Sequence, residues 1–161
     1  MIKIEVDDKA VRRALDDLSR RLDDITPAMH AIGQALAEGS RERILSGRDW
    51  TGTPFAPNSP VTLARKKGEK PLIDSKSFVT TRLHYEAGRD SVAVGSSAAQ
   101  AAVLQFGAKK GAFGKTKRGA SIPWGDIPAR RYLPVTQDGQ LDAAARSLIL
   151  DTLTDYLAEA L

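Results

Sequence analysis

Eight apolar residues, Val11, Leu15, Leu18, Leu22, Ile25, Met29, Ile32 and Leu36, recur at spacings of 4-3-4-3-4-3-4. That heptad-like period places all eight on one helical face. Thr26-Pro27 interrupts the stripe as an N-cap residue followed by a proline suited to the first helical turn. The segment therefore reads as two helices, about 8–24 and 27–46, or as one helix kinked at Pro27. The stripe is either a core-facing face or one that also packs against a neighbouring subunit. Ahead of it, Ile2, Ile4 and Val6 alternate with Lys3 and Glu5, which predicts a short strand over residues 1–6.

Downstream the periods change. Gly47 to Pro60 reads as a loop, with Pro54, Pro57, Pro60, Trp50 and Phe55. Ser59-Pro60 again resembles an N-cap and first-turn proline, opening a short helix that Gly68 ends. Val79, Thr81, Leu83, Tyr85 and Ala87 alternate with polar residues as a strand. Gly88-Arg89-Asp90 makes a turn, and residues 91–95 form the return strand of a hairpin. Ala98 to Phe106 suits a short helix. Residues 108–119 hold Lys109, Lys110, Lys115, Lys117 and Arg118 with no acid, and read as a mobile basic loop. Ile122 to Val135 should be extended. A last helix is expected over about 139–160, with Leu141, Ala145, Leu148, Thr152 and Tyr156 on one face. The expected fold class is α+β: N-terminal helices and a C-terminal helix on a small antiparallel β sheet, with a long basic loop.

At 161 residues with 42% apolar and 27% charged content, the chain reads as a single domain over 1–161. Its parts are a helical segment 1–46, a loop-and-sheet segment 47–136 and the C-terminal helix 137–161. No apolar run is long enough to cross a membrane. Met1 to Lys9 carries acids where a signal peptide carries an apolar stretch, so the inside of a cell is the expected compartment. The absence of cysteine excludes disulfides and thiolate chemistry.

Charge is unevenly distributed. Residues 1–46 carry 8 basic and 9 acidic groups, 47–136 carry 15 and 6, and 137–161 carry 1 and 5. A basic middle and an acidic end suit head-to-tail self-association or contact with a polyanion.

Catalytic patterns fail on inspection. Gly114-Lys115-Thr116 lacks the glycine that a phosphate-binding loop needs five positions earlier, where Lys109 stands. His30 and His84 lie in no metal-ligand spacing, and no Gly-x-Ser-x-Gly elbow occurs. The doublets Asp7-Asp8, Asp16-Asp17 and Asp23-Asp24 interleave with Arg12, Arg13, Arg20 and Arg21 as alternating charge on a solvated helix. No active site, metal or cofactor is expected. Arg65-Lys66-Lys67 and 108–119 remain, read as surfaces facing a polyanion such as DNA, as solvated loops, or as a loop ordered by a partner.

Four segments, in order, resemble the phage virion morphogenesis (tail completion) family of Mu-like and related tailed phages. They are Trp50-Thr51-Gly52 with Phe55-Ala56-Pro57 and Thr62, then Pro71-Leu72-Ile73-Asp74-Ser75-Lys76-Ser77-Phe78. Val92-Ala93-Val94-Gly95-Ser96 leading to Gln105-Phe106-Gly107 follows, and Ile127-Pro128-Ala129-Arg130-Arg131-Tyr132-Leu133 closes the set. Ser75-Lys76 and Phe78 depart from the family's Thr-Gly and leucine, and Gln100-Ala101 from its Tyr-Ala.

The resemblance implies a non-enzymatic structural protein of the phage tail or neck: a tail completion factor, tail terminator or head-tail joining protein. It further implies a cyclic homo-oligomer, six-fold in many of the wider group, around the DNA channel. The partners implied are the tail tube, neck or connector proteins and, non-specifically, DNA, with no membrane. Candidate interface or channel residues are Lys109, Lys110, Lys115, Lys117, Arg118, Arg130 and Arg131. Candidate packing residues are Trp50, Phe55, Phe78, Phe106, Gly107, Pro128, Tyr132 and Leu133. Phe106 is expected to be buried and Gly107 to cap its helix, while Arg130 and Arg131 offer charge to an interface. The basic middle and the acidic C-terminal helix, through Asp151 and Asp155, are expected to supply two unlike faces of a ring. A small DNA-binding protein using loop 108–119 is the alternative.

Overall fold

The computed structural model describes residues 8–66, 68–73 and 82–159. The expected strand over 1–6, Phe78 and the first part of the strand expected over 79–87 lie outside the described residues. The elements are α1 (Lys9–Asp23), α2 (Thr26–Ser46), α3 (Pro60–Arg65), β1 (Leu83–Ala87), β2 (Val92–Ser96), α4 (Ala101–Phe106) and α5 (Ala143–Ala158). Helices and a two-stranded antiparallel sheet make this an α+β fold, as the periodicities predict.

The N-terminal stripe belongs to two helices, because Asp24 is extended (φ −136°, ψ 95°) and breaks the first one. The capping differs from the expectation for Thr26. Thr26 is already helical, and the Asp24 carboxylate accepts its amide at 3.0 Å. Gly47 closes α2 with φ 73°, in the left-handed region that favours glycine, and its amide donates to the Arg43 carbonyl at 2.9 Å.

Helix α2 is the hub, packed against β1, β2 and α5. Two of its glycines permit this. A Cβ on Gly33 would strike the Tyr85 ring, and one on Gly39 would strike the Trp50 indole. Antiparallel β1 and β2 pair in the register Leu83↔Ser96 to Ala87↔Val92, and Gly88 donates to Ser91 in the turn. A lone hairpin is marginal in water, so packing on α2 sustains it. The core has two clusters. Ile44, Phe55, Leu83, Ala98 and Tyr132 form one, and Ile32, Leu36, Trp50 and Ala145 form the other.

Four expectations need correction. The stripe faces the core only in α2; Val11, Leu15 and Leu22 of α1 are 57–60% exposed, and α1 buries no residue. Helix α3 stops at Arg65, before Gly68, and α4 begins at Ala101, not Ala98. Helix α5 begins at Ala143 because the Asp142 carboxylate caps it, accepting the Ala144 amide at 2.9 Å. Leu141 therefore stands outside the helix, bridged to Val135 in a turn.

Candidate assembly surface: the basic arm and its footing

Residues 108–119, expected as a basic loop, continue to residue 127 as one backbone-paired unit. They fold back on themselves as an ordered arm. Ala108 and Ile127 exchange both backbone hydrogen bonds, at 2.9 and 2.7 Å. Farther out, Gly111 donates to Pro123 at 3.0 Å, Phe113 to Ile122 at 2.8 Å, and Thr116 to Ala120 at 2.8 Å. Residues 122–127, expected to run on as an extended segment, supply the second limb.

Gly107 sets the arm's exit from α4. Its φ is 75°, and a Cβ there would lie 2.7 Å from the Ile127 carbonyl and 2.9 Å from the Ala129 amide. At the base, Asp126 accepts the Lys110 amide at 2.8 Å and the Lys109 ammonium at 3.1 Å. The Lys110 hydrogen bond, then the Lys109 hydrogen bond, hold the Asp126 carboxyl below its ordinary pKa.

Of the five cations of the arm, the Lys109 ammonium is thus tied at the base, while Lys110 is held there through its backbone amide. Lys115, Lys117 and Arg118 stand at the exposed tip, where no acid among the described residues pairs with them. Midway along the arm, Phe113 is 59% exposed and Trp124 is 71% exposed. Trp124 carries no periodic mark in the sequence, since Pro123 and Gly125 flank it.

The footing is residues 130–135, where the chain alternates inward and outward as an extended segment does. Arg130, Tyr132 and Pro134 are buried, and Arg131 and Leu133 are half-buried. Arg130, offered as an interface charge, is largely buried within the subunit. Its guanidinium donates to the Ala56 carbonyl at 2.8 Å and the Pro57 carbonyl at 2.9 Å, joining the loop before α3 to the footing. Burial pushes its pKa below the ordinary arginine value. Arg131 reaches Asp49 at 3.4 Å.

Gln105, not Phe106, is the buried member of its pair; Phe106 is 50% exposed. The Gln105 side-chain oxygen accepts the Tyr132 and Leu133 amides, both at 3.0 Å, and its nitrogen donates to the Leu133 and Val135 carbonyls. The Trp50 indole donates to the Tyr132 carbonyl at 3.0 Å. Of the candidate packing residues, Trp50, Phe55 and Tyr132 are buried, Gly107 and Leu133 are half-buried, and Pro128 is exposed. Asp49 and Gln105 escaped the sequence reading because a single polar residue in a loop or short helix carries no periodic mark.

Beside the footing, an open cleft of about 780 Å³ is bordered by Arg65, Lys66, Arg82 and Arg130 with Asp126 as the acid among the described residues lining it. His, Asp and Glu side chains form no cluster of three able to hold a metal among the described residues. The region can present cations and aromatic rings from a rigid base. No helix among the described residues is long and apolar enough to cross a membrane.

The model of the phage virion morphogenesis family matches residues 6–158, nearly the whole chain. No curated protein and no solved structure matches it.

Proposed function

Because the chain belongs to the phage virion morphogenesis family, whose proteins are structural and virion-associated, we propose that it completes the tail end or neck of a phage particle. In that role it assembles as a cyclic ring of like subunits around the DNA channel, with six copies the count that the resemblance favours. Its partners are further copies of itself, the tail tube and the neck or connector proteins. The observation that carries the ring is the presence of two unlike surfaces on one subunit. A projecting arm bears unpaired cations and exposed aromatics, and the outer side of α5 bears acids. Unlike surfaces fit heterologous contacts, the kind that close into rings.

Light scattering on the purified chain at low and moderate salt tests this directly. A discrete ring-sized species is expected, and its mass gives the subunit count. A strict monomer that also fails to join added tail tubes overturns the reading.

The exposed Lys115, Lys117 and Arg118 favour a second use of the same arm, contact with DNA phosphates in the channel. That use predicts DNA affinity falling steeply with salt. Affinity unchanged by salt, or by neutralising the three tip cations, removes it.

A further inference from the structure

We propose that the arm of one subunit docks on the outer face of α5 of a second copy, with Trp124 and Phe113 as its anchors. The proposal rests on the ring reading and names the contact that would build it.

The arm has the properties of a docking element. Its backbone ladder orders it before any contact, so little conformational entropy remains to be lost on binding. Trp124 is one of only two tryptophans in the chain, and it is 71% exposed. Large aromatics of this kind dominate interface energies when a partner buries them. The surrounding charge is one-sided: Lys109, Lys110, Lys115, Lys117 and Arg118 against Asp126.

The outer face of α5 is complementary in shape and sign. Helical geometry sets Ala143, Ser147, Thr154 and Ala158 in one row, with Leu150 and then Arg146 along one edge and Asp151 and Asp155 along the other, so two carboxylates outnumber one cation. All eight are exposed, Leu150 at 56%. The Thr154 hydroxyl turns back to the Leu150 carbonyl at 2.8 Å, which makes the row less polar than its composition suggests. A floor of small side chains lets a flat ring lie close to the helix. Leu150 then flanks the rings while the carboxylates face the arm's cations. An arm on one subunit and a helix face on the next form a contact that is not self-complementary. It therefore propagates past a two-fold dimer and makes a ring where its rotation closes.

Two full-length variants test this in the analytical ultracentrifuge, each checked for its fold by circular dichroism. One carries Phe113→Ala and Trp124→Ala, the other Asp151→Arg and Asp155→Arg. Each alone should self-associate more weakly than the wild type by about tenfold or more. Their equimolar mixture should form a 1:1 dimer and nothing larger, because one intact arm meets one intact face and the remaining pair is disabled.

Variants that assemble like the wild type, or a mixture that recovers nothing, overturn this contact while the ring reading stands. An arm variant that loses DNA affinity but keeps assembly assigns the arm to nucleic acid and likewise overturns it. A wild-type chain that stays monomeric at every concentration overturns the ring reading and this contact together.

Discussion

Helices α1 and α2 carry two halves of one apolar stripe, and their surroundings could hardly differ more. Ile32 and Leu36 in α2 are 3% and 4% exposed, while Val11 and Leu15 in α1 are 60% and 58% exposed. The stripes share residue types and spacing, so the stripe is not the cause. The other faces are. Eight of the 15 residues of α1 are charged, leaving one usable side. Helix α2 has Ala28, Gly33, Ala37, Gly39 and Ser40 around its circumference, all buried. Small residues let neighbours approach from several directions, and the Tyr85 and Trp50 rings come close at Gly33 and Gly39.

A heptad stripe therefore states which face is apolar, and the remaining faces decide whether a helix can be surrounded. Helix α1 is held mainly at its C-terminal end. There Arg21 donates to the Tyr156 carbonyl, pairs with Glu159 at 3.3 Å and lies 5.0 Å from the centre of the Tyr156 ring.

The comparison breaks most visibly in the α2 half. Ile44→Ala removes a fully buried side chain from the Tyr132 cluster and should lower stability by about 2–5 kcal/mol in urea unfolding. A loss below about 1 kcal/mol would place Ile44 outside the load that holds the fold. Gln105→Ala strips the footing of four side-chain hydrogen bonds to backbone. It should cost about 2–4 kcal/mol, since buried amides and carbonyls lose their partners. Gln105→Glu should be the informative control, because a carboxylate still accepts from Tyr132 and Leu133 but cannot donate to the two carbonyls. Gly33→Ala forces the Tyr85 ring away from α2 and should cost about 1–3 kcal/mol by overpacking. An alanine at Gly33 without cost would refute the account of why α2 is surrounded and α1 is not.

What was legible in the sequence is what repeats. The stripe, the alternation of Leu83, Tyr85 and Ala87, and the Gly107 cap are local regularities, and each stands where its period puts it. The arm was misread because its pairing is carried by backbone groups, while Gly111, Gly114 and Pro123 erase side-chain alternation. Phe106, expected to be buried, is half exposed, and Gln105 is the buried neighbour. The chain between α4 and α5 has backbone groups that only a side chain with both donor and acceptor satisfies. Arg130 and Arg131 look alike as neighbours. Counting by twos from buried Tyr132 places Arg130 inside and Arg131 half outside.

Asp49 sharpens the footing's electrostatics. Burial works to raise its pKa, but the Thr51 hydroxyl, the Thr53 and Thr51 amides and Arg131 together outweigh burial and lower it. A carboxyl with a lowered folded-state pKa stabilises above its unfolded-state value and loses that contribution as pH falls through the folded one. Wild-type stability should therefore drop on acidification below the ordinary aspartate range more steeply than that of Asp49→Asn. Near neutral pH the variant should be less stable by about 1 kcal/mol. Parallel pH profiles for the two proteins would remove Asp49 from the acid response, leaving it to groups such as Asp24 and Asp126, whose pKa values are also lowered.

The smallest effect is expected in α1. Leu15 is 58% exposed, and leucine and alanine have similar helix propensities. Leu15→Ala should therefore change the stability of dilute, monomeric protein by no more than about 0.5 kcal/mol. The same substitution measured across a range of protein concentrations separates two conditions of the stripe. If the wild type gains stability with concentration and the variant gains less, association covers the stripe, because stability linked to a partner rises with the partner's concentration. If both stay flat, Val11, Leu15 and Leu22 remain in water and contribute nothing to the fold, beside a half-buried Leu18. A loss of about 2 kcal/mol or more at high dilution would contradict the exposed position of Leu15 and return α1 to the same condition as α2.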